Sequence, residues 1–156
     1  MKGGGHATNP RFSSTRGVQV ALSRFNELQV DFTSGTVEIG AGLTWDQVYT
    51  NLEPTGVNVV GGRSPTVGVS GFTLGGGRWS SIMIVRELYL ILSGYSYTTS
   101  QYGLAIDNVV GYELVLPNGT VSCVTSKDED IWFSLRVRRN ARYMSVCLKL
   151  TTLREG

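Results

Sequence analysis

Seven glycines fall in the eighteen residues Val60–Gly77. Glycine at that density weakens helices and strands alike, but it lets backbone come close to a ligand and reach positive φ. Exposed N–H groups in such a loop form a concave nest for anions, phosphates above all. Pro65, Thr66, Val67 and Val69 stiffen the stretch, unlike a flexible Gly/Ser linker. The alternative is a glycine-rich turn between strands. A second glycine turn, Gly3-Gly4-Gly5, opens the chain and runs into His6, its only histidine. Neither standard phosphate motif is present. A P-loop starting at Gly71 reads Gly77-Arg78 where Lys-Ser/Thr is required, and a dinucleotide fingerprint starting at Gly75 fails at Ser80. Cys123 and Cys147 form no Cys-x-x-Cys, and with one histidine they give no zinc pattern, so no metal site is assigned.

The elements that must position these loops are short. Val18–Leu22 reads as a strand. Gln29–Thr33 and Thr36–Gly40 alternate around Ser34-Gly35 and read as a hairpin. Thr44 with Gln47 forms a capping box, which predicts a helix from Trp45 to about Glu53, stopped by Pro54 and Gly56. Val57–Val60 is a strand that feeds the glycine-rich loop. Asp107-Asn108 offers a turn and a cap. Tyr112–Leu116, Pro117-Asn118-Gly119 and Thr120–Val124 form the clearest hairpin; Asn118-Gly119-Thr120 is also a glycosylation sequon. Ser126 with Glu129 is a second capping box, opening a helix through Arg136 whose acidic first turn suits the helix dipole. Tyr143–Leu150 is a candidate strand.

Length and composition fit one domain: 156 residues, 41% hydrophobic, 17% charged. A net charge of +2 is too small to argue for nucleic acid. No apolar run is long enough for a spanning helix, and the N-terminus lacks an apolar secretory core.

Five blocks stand in one order: Lys2-Gly-Gly-Gly-His6, Ser64–Gly71, Leu74–Gly77, Gln101–Val109 and Leu116–Gly119. In that order they resemble the FAD-binding (PCMH-type) domain of the berberine-bridge-like FAD-linked oxidoreductases, of the vanillyl-alcohol-oxidase type, fungal members above all. The resemblance covers about residues 2–81 and 99–136. It implies an α+β fold, with FAD as cofactor and a small organic substrate oxidised by hydride transfer to the flavin. It implies no nucleic-acid or membrane partner. Relatives are commonly secreted, and this chain leaves the compartment open. The cofactor would be held at Gly3, Gly4, Gly5 and Ala7, with the pyrophosphate on that glycine turn, and at Ser64, Thr66, Val67, Gly68, Ser70, Gly71, Gly75 and Gly76. Gly103 and Asn108 would also bind it, with the adenine end at the backbone of Val109 or Val110. His6 stands where many relatives tether the flavin 8-methyl through an imidazole nitrogen; non-covalent binding is the alternative.

Four departures matter. Ser64 stands where bicovalent relatives carry a cysteine bonded to flavin carbon 6; a hydroxyl is far less nucleophilic than a thiolate, so a second link is not expected. Residues 82–98 form an atypical insertion, read as a translated intron or a genuine helical insert. From 137 to 156 the chain diverges, with four arginines in residues 136–142 where the family carries glycines near the flavin. Finally, the domain is expected to be truncated. The family's preceding βαβ portion and its later substrate domain with the catalytic base lie outside 1–156, so no catalytic residue is assigned. The rival expectations are a non-catalytic flavin-binding remnant and a truncated product without activity.

Overall fold

The structure, a computed structural model, describes residues 1–6, 15–74, 96–137 and 144–154. Its frame is one antiparallel sheet built from five strands: β1 (Leu28–Asp31), β2 (Thr36–Gly40), β4 (Val109–Val115), β5 (Val121–Val124) and β6 (Met144–Thr151). Two short strands, β3 (Val57–Asn58) and β7 (Leu153–Arg154), pair separately. The helices are α1 (Trp45–Leu52), α2 (Val69–Leu74), α3 (Thr99–Tyr102) and α4 (Glu129–Val137).

Both hairpins form for local reasons. Between β1 and β2, the Asp31 carboxylate accepts the Thr33 and Ser34 N–H groups at 2.8 and 3.1 Å, and Gly35 takes φ 64°. These bonds hold the Asp31 carboxyl below its ordinary pKa, the Ser34 hydroxyl contributing most. Between β4 and β5, Gly119 takes φ 83° and Thr120 N–H donates to Asn118 Oδ1 at 3.0 Å.

The sheet order β1-β2-β6-β4-β5 is decided at long range. β6 lies between β2 and β4 and pairs antiparallel with both. Alternation does the rest. Val37, Ile39, Tyr112, Leu114, Leu148 and Leu150 point to one face and are buried with Trp45, Val48 and Leu52 of α1 and Leu135 of α4. Each such side chain contributes roughly 1.5–3 kcal/mol relative to exposure. The opposite face carries the Lys149–Glu38 ion pair at 3.1 Å, with Glu113 between Cys123 and Cys147 across three strands.

The α+β expectation holds, as do both hairpins, the Trp45 helix and the late strand. Gln47 Oε1 accepts the Thr44 N–H at 3.0 Å, as the capping box requires, and Gly56 ends that segment at φ 66°. Three local readings are corrected. Among the described residues, Val18–Leu22 forms an isolated parallel bridge, Lys2 to Ala21, rather than a strand of a sheet, and Val18 is 93% exposed. The strand expected at Val57–Val60 stops at Asn58, because β7 offers it only two partners. The cap before α4 is Thr125 with Asp128: Thr125 N–H donates to Asp128 Oδ2 at 3.0 Å, one residue ahead of the expected Ser126–Glu129 box. The insertion at 82–98 lies outside the described residues up to 95, and Ser96–Thr98 lead into α3. Within the divergent end, β6 is the central strand rather than an appendage.

Candidate functional site

The two glycine turns meet backbone to backbone. A Cβ on Gly4 would lie 2.7 Å from the Gly68 nitrogen, and one on Gly3 would lie 2.7 Å from Ser70 Oγ. This contact is built by strand-like pairing around it. Lys2 N–H donates to the Val20 carbonyl and Leu22 N–H to the Lys2 carbonyl, at 2.8 and 2.9 Å. Thr44 bridges Gly68, and Val69 N–H donates to the Leu43 carbonyl at 2.9 Å. Residues more than sixty positions apart thereby share one wall.

Donors on that wall are unevenly used. The first N–H groups of α1, on Trp45 and Asp46, donate to the Val67 and Pro65 carbonyls at 3.1 Å each. The start of α1 is therefore occupied by the loop itself. At α2, Phe72 N–H reaches the Gly68 carbonyl at 3.1 Å. The N–H groups of Ser70 and Gly71 have no intrahelical acceptor there. A Cβ on Gly71 would meet nothing within 4 Å, so its backbone borders open space. Gly61 and Gly62 have a different job. A Cβ on Gly62 would stand 2.6 Å from the Trp45 ring, and one on Gly61 would collide with that ring. They let the loop lie flat on the buried indole, and Tyr49 Oη, its pKa raised by burial, donates to the Gly62 carbonyl at 3.0 Å.

Of the residues expected to hold a cofactor, the structure brings Gly3, Gly4, Gly68 and Ser70 together. Gly5 follows with φ 77°, His6 is exposed, and Ser64 is half-buried at the head of the turn closed by Val67 N–H on its carbonyl at 3.3 Å. Thr66 and Gly71 are exposed, and Val67 is half-buried. Ala7, Gly75 and Gly76 lie outside the described residues. The third segment, Gly103–Val110, is separate in sequence but reaches the wall through the 3-10 turn Ala105–Asn108, which packs against α2. Gly103 takes φ 78°, Asn108 Nδ2 donates to the Tyr102 and Leu104 carbonyls at 2.9 Å each, and the β4–β6 register slips between Val109 and Gly111.

Two arginines escaped the sequence reading as site residues. Arg63 stacks on Tyr97 at 5.9 Å, with Nη2 buried and unpartnered. Arg136, noted only as the first of an arginine run, pairs with Asp107 at 2.9 Å. Their signal was positional, one residue before Ser64 and in the last turn of a predicted helix, and only tertiary packing gives it meaning. No group of three or more His, Cys, Asp or Glu side chains is placed to hold a metal among the described residues. No described helix is long and apolar enough to cross a membrane.

The family described as "FAD binding domain" matches residues 1–86. Over 155 residues, 97% of this chain, the sequence is 39% identical to the FAD-dependent monooxygenase yanF of Aspergillus niger, and over 138 residues it is 37% identical to the FAD-dependent monooxygenase FUP4 of Fusarium proliferatum (87% of this chain). The chain spans about a quarter of the length of these curated relatives, 24% and 23%. Its fold is that of 6-hydroxy-D-nicotine oxidase from Arthrobacter nicotinovorans, with TM-score 0.77 and 22% identity over 98% of this chain and 30% of that one. Glucooligosaccharide oxidase from Acremonium strictum, described with a 6-S-cysteinyl, 8α-N1-histidyl FAD, superposes with TM-score 0.76 at 21% identity, over 97% of this chain and 29% of that one. With its two glycine turns in contact on an antiparallel α+β frame, the chain belongs to the FAD-binding-domain family.

Proposed function

We propose that residues 1–156 are the FAD-holding part of an oxidoreductase that oxidises a small organic substrate, with nucleic acid no part of its function. The observation that carries this reading is the contact of the Gly3–Gly4 turn with Gly68–Ser70. It leaves the backbone of Gly71, in the first turn of α2, at the edge of open space, as a pyrophosphate cradle requires. Gly3, Gly4, Gly5, Ser70 and Gly71 would hold the pyrophosphate, and Val109 and Val110 the adenine end. FAD supplies the hydride acceptor, while this chain's residues bind and orient it. His6 is the single candidate for a covalent tether. Ser64 offers a hydroxyl where the family resemblance implies a cysteine in bicovalent relatives, and a hydroxyl stays protonated near neutral pH.

The test is flavin retention by the purified chain, in three steps. Added FAD should bind. After acid precipitation, yellow colour should remain in the wild-type pellet if His6 is tethered and be lost in His6→Ala. Colour retained by His6→Ala contradicts the tether. Colour lost from both shows non-covalent binding at the same wall. Bleaching of the bound flavin by substrate without air marks an enzyme. Binding without bleaching by any alcohol or amine tried favours a non-catalytic module, and no binding at all refutes the cradle.

A further inference from the structure

The 3-10 turn Ala105–Asn108 is tied down on two sides, and the backbone that follows it is left open. Asp107 divides its carboxylate between two donors: Leu104 N–H on Oδ2 at 3.1 Å and Arg136 Nη2 on Oδ1 at 2.9 Å. Arg136 also lies over the Trp132 ring at 5.8 Å, which fixes the plane of its guanidinium. On the other side, the Asn108 carbonyl accepts the Thr151 hydroxyl of β6 at 2.9 Å. Immediately beyond, the β4–β6 pairing passes from Val109–Leu150 to Gly111–Lys149, which leaves Val110 without a partner on β6. β5 does not reach it either, since its pairing with β4 begins at Tyr112. Val110 is 40% exposed, so the bulge stands at the surface.

We propose that Asp107 and Arg136 are positioning residues for the ADP half of FAD. Their ion pair fixes the turn that presents the bulged Val110 backbone as a hydrogen-bonding edge. This rests on the FAD reading above. An amide N–H beside a carbonyl matches a planar heteroaromatic ring that carries an acceptor nitrogen next to an exocyclic amine, as adenine does. The pair joins residues 29 positions apart, and the carboxylate that Arg136 holds is the one that caps the turn. Losing Arg136 therefore frees the cap to rotate and lets the bulge drift from the α2 wall. Arg136 acts only through Asp107 and does not itself touch the ligand.

Calorimetric titration of the full chain with FAD, ADP and FMN separates the possibilities. The variants are Arg136→Gln, Asp107→Asn (which keeps an oxygen for the Leu104 N–H) and the conservative Arg136→Lys. Arg136→Gln and Asp107→Asn should weaken FAD and ADP by the same factor, roughly three- to tenfold, and leave FMN unchanged. Arg136→Lys, which keeps a cation opposite the capping carboxylate, should keep at least half of the affinity, in free-energy terms, that Arg136→Gln loses, which a purely steric defect would not allow. FAD and ADP affinities equal to wild type in both Arg136→Gln and Asp107→Asn overturn the proposal. So does a loss that extends equally to FMN, or an Arg136→Lys variant as weak as Arg136→Gln. A wild-type chain that binds neither FAD nor ADP overturns the FAD reading and this inference with it, whereas wild-type binding with indifferent variants overturns this inference alone.

Discussion

Glycines that look alike in the sequence have unlike neighbours. Gly4 faces the Gly68 backbone at 2.7 Å, where nothing flexible can give way, whereas Gly71 faces open space. Gly4→Ala should therefore cost about 1–3 kcal/mol through overpacking. Gly71→Ala, inside α2, should leave stability unchanged or raise it by about 0.5–1 kcal/mol, from helix propensity. Chemical denaturation measures both; equal destabilisation by the two would show that the turns do not meet as described. If Gly71→Ala instead loses FAD while keeping its fold, the N–H groups at α2 are the cradle. Tyr112 offers a second contrast. Its ring is buried against Trp132, its hydroxyl has no partner, and burial pushes its pKa from 10.0 up to about 12. Tyr112→Phe removes a buried unsatisfied group and should stabilise the chain by up to about 1 kcal/mol at neutral pH. The sign with pH follows from the raised value. The folded state holds this proton longer than the unfolded one, so the contribution is complete below pH 10 and is lost as pH rises toward 12. The wild type should lose stability over that window, and Tyr112→Phe should lose less; parallel pH–stability curves would count against the assignment.

Among the elements, α4 shows how a cap is chosen. Ser126–Glu129 has the spacing of a capping box, yet the bond that forms is Thr125 N–H to Asp128. Either spacing satisfies a donor ahead of the helix, so pattern alone could not separate them. Asp128→Ala should destabilise by about 0.5–1.5 kcal/mol, while Ser126→Ala stays within about 0.5 kcal/mol of wild type. Thermal melts of the two variants compare them directly, and a larger loss from Ser126→Ala would restore the box first read from the sequence. The same helix ends in Arg136, whose pairing with Asp107 turns a residue from a basic run into a link between α4 and the turn before β4.

At the scale of the whole molecule, β6 closes the sheet. It joins the β1–β2 hairpin to the β4–β5 hairpin, and Leu148 and Leu150 are fully buried between them. Each hairpin alone is a two-stranded ribbon, marginal in water. A chain ended after Val137 should therefore lose its cooperative urea transition, not merely shift its midpoint. A sharp transition retained by that truncation would show that the sheet does not depend on β6.

The sequence by itself determined the local elements and the family. Ser34-Gly35, Asn118-Gly119, Thr44 with Gln47, and Pro54 before Gly56 act within a few residues, so their chemistry is legible without a partner. The ordered blocks around Gly3–His6, Ser64–Gly71 and Gln101–Val109 identified the FAD-binding type, because glycine at such positions answers to backbone geometry that few alternatives satisfy. Tertiary structure alone decided which glycines serve packing and which border open space. It also decided that Val18–Leu22 would meet Lys2 through a bridge at Ala21, and that a strand from the chain's last twenty residues would sit at the centre of the sheet. These outcomes depend on neighbours far away in the chain: Gly68 for Gly4, Trp45 for Gly61 and Gly62, β2 and β4 for β6. Periodicity tells which face of a strand is apolar, but not which strand will lie beside it, since pairing is fixed by the burial that results when distant segments close on one another.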